Sequence, residues 1–162
     1  MAAARSSRWL WLIPAVLAAD RATKFAIERT TEEGYRHELL PNVAWLVHST
    51  NSGIAFGLFA DSAFKLISIV LVIASAAVIV LLVWLLAAGR AGLAPAQAGL
   101  ALIAGGAAGN LYDRLAHGGV TDFLELHAGR LEWPAFNLAD SAITIGALLV
   151  IFELVGGKRK AA

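Results

Sequence analysis

Apolar residues run in four long blocks along the chain, and the charged residues gather between them. Residues 66–89 carry no charged side chain, and neither do residues 91–112. Each block exceeds the ~20 residues that an α-helix needs to cross ~30 Å of hydrocarbon at ~1.5 Å per residue. A third block follows Asp140 and continues to Phe152. Residues 136–139 extend it, which predicts a span over 136–155. The fourth block is N-terminal: residues 9–19 are apolar, and Phe25, Ala26 and Ile27 prolong the pattern past Asp20, Arg21 and Lys24. The chain therefore predicts helices over 9–27, 66–89, 91–112 and 136–155, with polar segments 28–65 and 113–135 between them.

The first block has a rival reading. Arg5 and Arg8, an apolar centre and the small residues Ala18 and Ala19 also fit a secretory signal peptide. The pattern continues past that cleavage point, which favours a retained helix and an even number of spans. In the first polar segment Val43, Trp45 and Val47 alternate with Ala44, Leu46 and His48, a period of two that predicts a strand. Leu40-Pro41-Asn42 reads as the turn before it. In the second, residues 123–127 and 131–133 flank Ala128-Gly129-Arg130 and predict a hairpin. The expected fold class is an all-α membrane protein with four transmembrane helices and a small extracytoplasmic β-sheet, as one domain over 1–162.

Composition agrees. Hydrophobic residues make up 59% of the chain and charged residues 15%, against roughly 45–50% and 25% in soluble domains. The excess has to face lipid. A net charge of +1 without a sustained basic patch gives no reason to expect nucleic acid. With no cysteine, disulfides, thiolate catalysis and Cys-ligated zinc are excluded. Arg5 and Arg8, then Arg90, then Lys158, Arg159 and Lys160 all fall on one side if both termini are cytoplasmic. The two polar segments are then extracytoplasmic.

That topology delivers polar residues to one depth, near the outer leaflet. The first span brings Asp20 and Lys24. The second starts after Asn51-Ser52-Gly53-Ile54-Ala55-Phe56. The third ends at Asn110, Asp113 and Arg114. The fourth opens with Asn137 and Asp140, and Asp122 lies between the last two. Ionisable groups inside a membrane cost about 2.5–3.5 kcal/mol each at its centre. Plain structural roles exist for many of them. Asp20 and Lys24 have the spacing of a helical ion pair. Asn110 and Asp113 suit helix capping, and Asn51 and Gly53 a turn. Gly105, Gly106 and Gly109 suit close helix packing. His37, His48, His117 and His127 are scattered, with no HExxH, so a metal site is not expected.

Asp122 and Asp140 have no cation one turn away in sequence. One reading makes them dipole or capping partners at a helix start. The other makes them two carboxylates facing one water. For peptide hydrolysis the sequence offers no cysteine, no HExxH and no GxSxG elbow; a serine–histidine pair stays open, though no serine lies in a motif that marks one. Two aspartates sharing a proton meet the need without a metal or organic cofactor, because like charges close together cannot both ionise easily. A small transporter or a non-catalytic scaffold held by polar glue would also place acids among helices. A transporter would spread them through the membrane depth.

The motifs resemble those of lipoprotein signal peptidase, or signal peptidase II. Asp20-Arg21-Ala22-Thr23-Lys24 is similar to its first motif. Residues 51–56 resemble its Asn-x-Gly-x-Ala-Phe motif, and residues 109–114 its Gly-Asn-x-x-Asp-Arg motif. Val120-Thr121-Asp122-Phe123 and Phe136-Asn137-Leu138-Ala139-Asp140 resemble the two stretches that hold its catalytic aspartates. The resemblance implies a bacterial inner-membrane aspartic peptidase that cleaves diacylglyceryl-prolipoproteins just before the lipidated cysteine. It implies Asp122 and Asp140 as the dyad. Asn51, Gly53, Asn110, Arg114 and Asn137 would position substrate or dyad, with Asp20, Lys24 and Asp113 in support. It also implies an outer sheet covering the substrate. The expected partners are the prolipoprotein and membrane lipid, with the protein acting as a monomer.

Overall fold

A computed structural model of the protein describes residues 7–52 and 61–158. A short 3-10 turn over Ser7–Trp11 leads into helix α1 (Leu12–Thr30). Two strands follow, β1 (Arg36–Leu40) and β2 (Ala44–Asn51). Helices α2 (Asp61–Ala87) and α3 (Ala94–His117) precede strands β3 (Val120–Ala128) and β4 (Leu131–Phe136), and α4 (Leu138–Lys158) completes the order. The four strands form one antiparallel sheet in the order β1-β2-β3-β4. Gly53 to Phe56, expected at the start of the second span, lie outside the described residues, as do Arg5, Arg159 and Lys160.

Helix ends follow local chemistry. Residues 9–11, expected in the first span, sit in the 3-10 turn, and α1 runs on to Thr30. Pro95 occupies the first turn of α3, where its missing N–H leaves no helical bond unmade. The connection before it turns on Gly89 and Gly92, at φ 68° and 76°, so α3 starts later than expected. It continues to His117 and ends at Gly118, φ 78°, in the left-handed region that glycine adopts without strain. Asn137 precedes α4 and caps it: the Asp140 N–H donates to Asn137 Oδ1 at 2.9 Å.

Helix α3 packs against α1, α2 and α4. Small residues make the approach possible. A Cβ on Gly99 would lie 2.5 Å from the Gly146 carbonyl oxygen on α4, and one on Gly109 would strike the Asp20 carboxylate on α1. The apolar core is modest: Leu86, Ala91 and Ala101, with Trp9, Leu10, Leu12, Ile13 and Leu100 around them. Large apolar side chains of α2 instead point outward, including Leu66, Ile73, Val80, Leu81 and Trp84.

Two helices contain stretches long and apolar enough to cross a membrane. They are Leu66–Ala87, with mean hydropathy 3.2, and Leu138–Gly156, with mean hydropathy 2.0. Neither α1 nor α3 contains such a stretch. Helix α1 carries Asp20, Arg21, Lys24 and Glu28. Helix α3 mixes glycine and alanine with Asn110, Asp113 and Arg114.

The sheet is larger than the sequence pattern indicates. β2 stands where alternation placed it, and the β3–β4 hairpin where the stretches flanking Ala128-Gly129-Arg130 placed it. β1 was not foreseen, because all five of its residues are exposed and so show no alternation. β2 carries a register irregularity between Leu46 and Ser49 where it pairs with β3. Beyond it, Ser49 pairs with Asp122 and Asn51 with Val120.

Candidate active site

The site begins with a buried ion cluster. Asp20 and Lys24 lie one turn apart on α1, and both side chains are fully buried. Lys24 Nζ sits 2.8 Å from Asp20 Oδ2 and 2.7 Å from Asp113 Oδ2 on α3. It also donates to Asn110 Oδ1 at 3.0 Å. Asp20 Oδ1 accepts the Ala139 N–H at 2.9 Å, in the first turn of α4. The second Asp113 oxygen pairs with Arg21. An unpaired charge buried here would cost several kcal/mol. The cluster therefore fixes α1, α3 and α4 at one level.

Next to it lie the two aspartates that sequence singled out. Asp122 is the third residue of β3 and is 2% exposed. Its Oδ2 accepts Asn51 Nδ2 at 3.1 Å, and its Oδ1 accepts Asn137 Nδ2 at 2.7 Å. Asp140 is half-buried. Its Oδ1 accepts Asn110 Nδ2 at 2.8 Å, and its Oδ2 faces the Asn137 N–H at 3.4 Å. Asn137 joins the two. Its amide nitrogen also lies 3.3 Å from both Asn110 Oδ1 and the Thr121 carbonyl, while its oxygen receives the Asp140 N–H.

Burial pushes the Asp122 carboxyl up to about 6, and the nearby Asp140 charge adds to the rise. The Asn51 amide opposes it by bonding the charged form. A carboxyl of this kind is half-protonated near pH 6, where an ordinary aspartate is almost fully ionised.

Five separate elements thus bring together Asp20, Lys24, Asn51, Asn110, Asp113, Asp122, Asn137 and Asp140. Arg114 lies at the edge, donating to the Asn110 carbonyl at 3.3 Å. Its Nε is buried and has no hydrogen-bond partner among the described residues. Gly53 lies outside those residues. Three residues that sequence reasoning left outside the candidate set also belong to the network: Arg21, Glu28 and Thr121. The seven-residue spacing of Arg21 and Glu28, two turns of a helix, is a signal that would have paired them. Among the described residues no group of three or more His, Cys, Asp or Glu is disposed to hold a metal ion.

Chemically, the arrangement offers two carboxylates held by one asparagine, Asp122 through the Asn137 side chain and Asp140 through the Asn137 backbone N–H, with Asp122 prone to protonation. Comparison with known proteins gives it a context. A family model described as signal peptidase (SPase) II matches residues 12–156. The lipoprotein signal peptidase of Solibacter usitatus (strain Ellin6076) is 42% identical over 148 residues, covering 91% of this chain and 90% of that protein. That of Pseudomonas fluorescens (strain Pf0-1) is 42% identical over 152 residues, covering 93% and 89%. A solved structure described as a bacterial membrane enzyme, obtained by the in meso method at 2.3 Å, superposes with a TM-score of 0.82 at 26% identity, covering 96% of this chain and 92% of that one. The match spans every element that contributes to the site, and the chain belongs to the signal peptidase II family of membrane proteases.

Proposed function

We propose that this protein removes signal peptides from diacylglyceryl-modified prolipoproteins, cleaving just before the lipidated cysteine, with Asp122 and Asp140 activating the water. The observation that carries the reading is the shared Asn137. Its side chain donates to Asp122 at 2.7 Å and accepts from the Asp140 backbone at 2.9 Å, so both aspartates are held to one small group.

One proton is divided between the two carboxylates and belongs to the pair. The ionised partner takes a proton from the water, whose oxygen attacks the scissile carbonyl carbon. The protonated partner gives its proton to the carbonyl oxygen, forming a tetrahedral diol. Collapse breaks the C–N bond, the nitrogen leaves with a proton from the dyad, and a carboxyl group remains on the signal peptide. Asn51, Asn110 and Asn137 hold the carboxylates from the sides. Arg114, at the edge of the site, and the Gly53 stretch position the peptide. Asp20, Lys24 and Asp113 lock the helices beneath.

In this reading α1, α2, α3 and α4 all cross the bacterial inner membrane, as parts of one domain over 1–162. Both termini are cytoplasmic and the sheet lies outside. The apolar faces of α2 and α4 meet lipid, while α1 and α3 turn their polar residues inward. The dyad then sits near the outer leaflet, at the depth of a lipid-anchored cysteine. All of the site comes from one chain, so a monomer suffices.

The test uses purified protein and a lipid-modified prolipoprotein. Asp122→Asn and Asp140→Asn, made separately, are each expected to lower turnover by about 10³-fold or more while the protein stays folded. Cleavage at the unmodified rate by either variant removes the dyad assignment.

A further inference from the structure

Glu28 lies near the end of α1, and its two oxygens serve different elements. Oε1 accepts the Thr121 hydroxyl of β3 at 2.8 Å. Oε2 pairs with Arg21 at 3.3 Å. Arg21 pairs in turn with Asp113 on α3, and Asp113 with Lys24 at 2.7 Å. A line of alternating charge therefore runs from the buried ion cluster out to one residue of the sheet. That residue immediately precedes Asp122.

The attachment is well placed to aim a carboxylate. Neighbouring side chains on a strand point to opposite faces, so the Thr121 hydroxyl is held from the face behind the Asp122 carboxylate. The Thr121 carbonyl is held as well, by Asn137 Nδ2 at 3.3 Å. Among the described residues, Glu28 is the side chain of α1 that hydrogen-bonds β3. Without it, the Asp122 end of β3 keeps its pairing with β2, and that pairing is irregular between Leu46 and Ser49, next to this position. Among the described residues, the Asn137 side chain would then be left to tie this end of β3 to the start of the helix that carries Asp140.

We propose that Glu28 is a positioning residue for the reaction: by clamping Thr121 it fixes the Asp122 carboxylate against Asn137 and Asp140. The proposal rests on Asp122 acting on the water, as argued above. Displacements near 1 Å cost catalysis about 100-fold in well-aligned sites, so the clamp should be visible in turnover and not in substrate affinity.

The experiment is a double-mutant cycle on the full-length protein with a lipid-modified prolipoprotein peptide. Glu28→Ala and Thr121→Val are each expected to lower kcat by about 10- to 100-fold, with KM within about twofold. The double variant is expected to lose no more than the worse single one, within about threefold, because both remove one clamp. Thr121→Ser, which keeps the hydroxyl, is expected to restore most of what Thr121→Val loses. Losses that multiply, a loss carried by KM alone, or single variants with unchanged kcat would each overturn the proposal. If Glu28→Ala fails to fold, the Thr121 pair decides alone, since it leaves every charge in place. Asp122→Asn in the same assay separates the two ideas. Full activity there ends the aspartate reading, whereas an inactive Asp122→Asn beside a normal Glu28→Ala ends the clamp alone.

Discussion

The two ends of the helix bundle use polar groups for different purposes. At the end away from the sheet, Glu153 of α4 accepts the backbone N–H groups of Leu93 and Ala96 at 2.7 and 2.8 Å. Gln97 donates to the Gly92 carbonyl at 2.7 Å. These contacts serve backbone groups that the start of α3 leaves without helical partners. Beside them lies the apolar cluster of Leu86, Ala91 and Ala101. At the sheet end, side chains mainly satisfy one another: Lys24 with Asp20 and Asp113, and Asn137 with Asp122. Nothing in helix geometry asks for such a cluster, and burying it costs free energy. The Glu153 end closes the fold, whereas the sheet end holds a buried polar network in place at the expense of stability.

Removing the central cation tests that contrast most severely. Lys24→Met leaves the Asp20 and Asp113 carboxylates buried without their shared partner. It is expected to destabilise the protein by about 3–5 kcal/mol, read as a fall in thermal unfolding temperature in detergent. Unchanged stability would mean that the cluster is not what pins the three helices. Asn137→Ala removes the group common to both aspartates. Turnover is expected to fall by about 10²–10³-fold, with a smaller loss of stability, and steady-state kinetics beside thermal unfolding would reveal the reverse order.

Stability against pH gives a smaller effect with a definite sign. The folded Asp122 carboxyl is raised from 3.8 to about 6, so the folded state holds its proton more tightly than the unfolded chain. Its contribution is full below about 3.8 and is lost as pH rises through about 6. Wild-type protein should therefore lose on the order of 3 kcal/mol relative to Asp122→Asn across that window. Parallel stability curves for the two proteins would contradict the burial of this group. The smallest change is at the end away from the sheet. Glu153→Ala removes the cap on α3 and is expected to cost about 1–2 kcal/mol with kcat unaltered. A large loss of turnover there would erase the distinction between the two ends.

Much of this was legible in the sequence, for physical reasons. A charge-free run of apolar residues has few places to go, so α2 and most of α3 and α4 were marked before any coordinate was known. Period-two alternation of β-favouring residues marked β2, although burial along the strand follows no such alternation: Ala44 and Val47 are its buried residues. β1 left no mark, since none of its side chains is buried. The candidate residues were recognisable because a carboxylate or carboxamide in an apolar setting is costly and therefore informative. Glu28 and Thr121 looked like ordinary polar residues at element ends. Their bond joins positions 93 residues apart, and no local pattern reports such a meeting.

Composition and periodicity by themselves determined that the chain is a membrane protein with long helices and a small sheet, and which side chains pay a desolvation cost. Tertiary structure alone decided who meets whom. It made Lys24 the partner of two acids instead of one. It made Asn137 the joint between Asp122 and Asp140, and it tied β3 to α1 through Glu28. Burial preferences are properties of single residues and can be read along a line. Hydrogen bonds and ion pairs depend on distances of a few ångströms between remote segments, and those exist only once the helices and the sheet have packed.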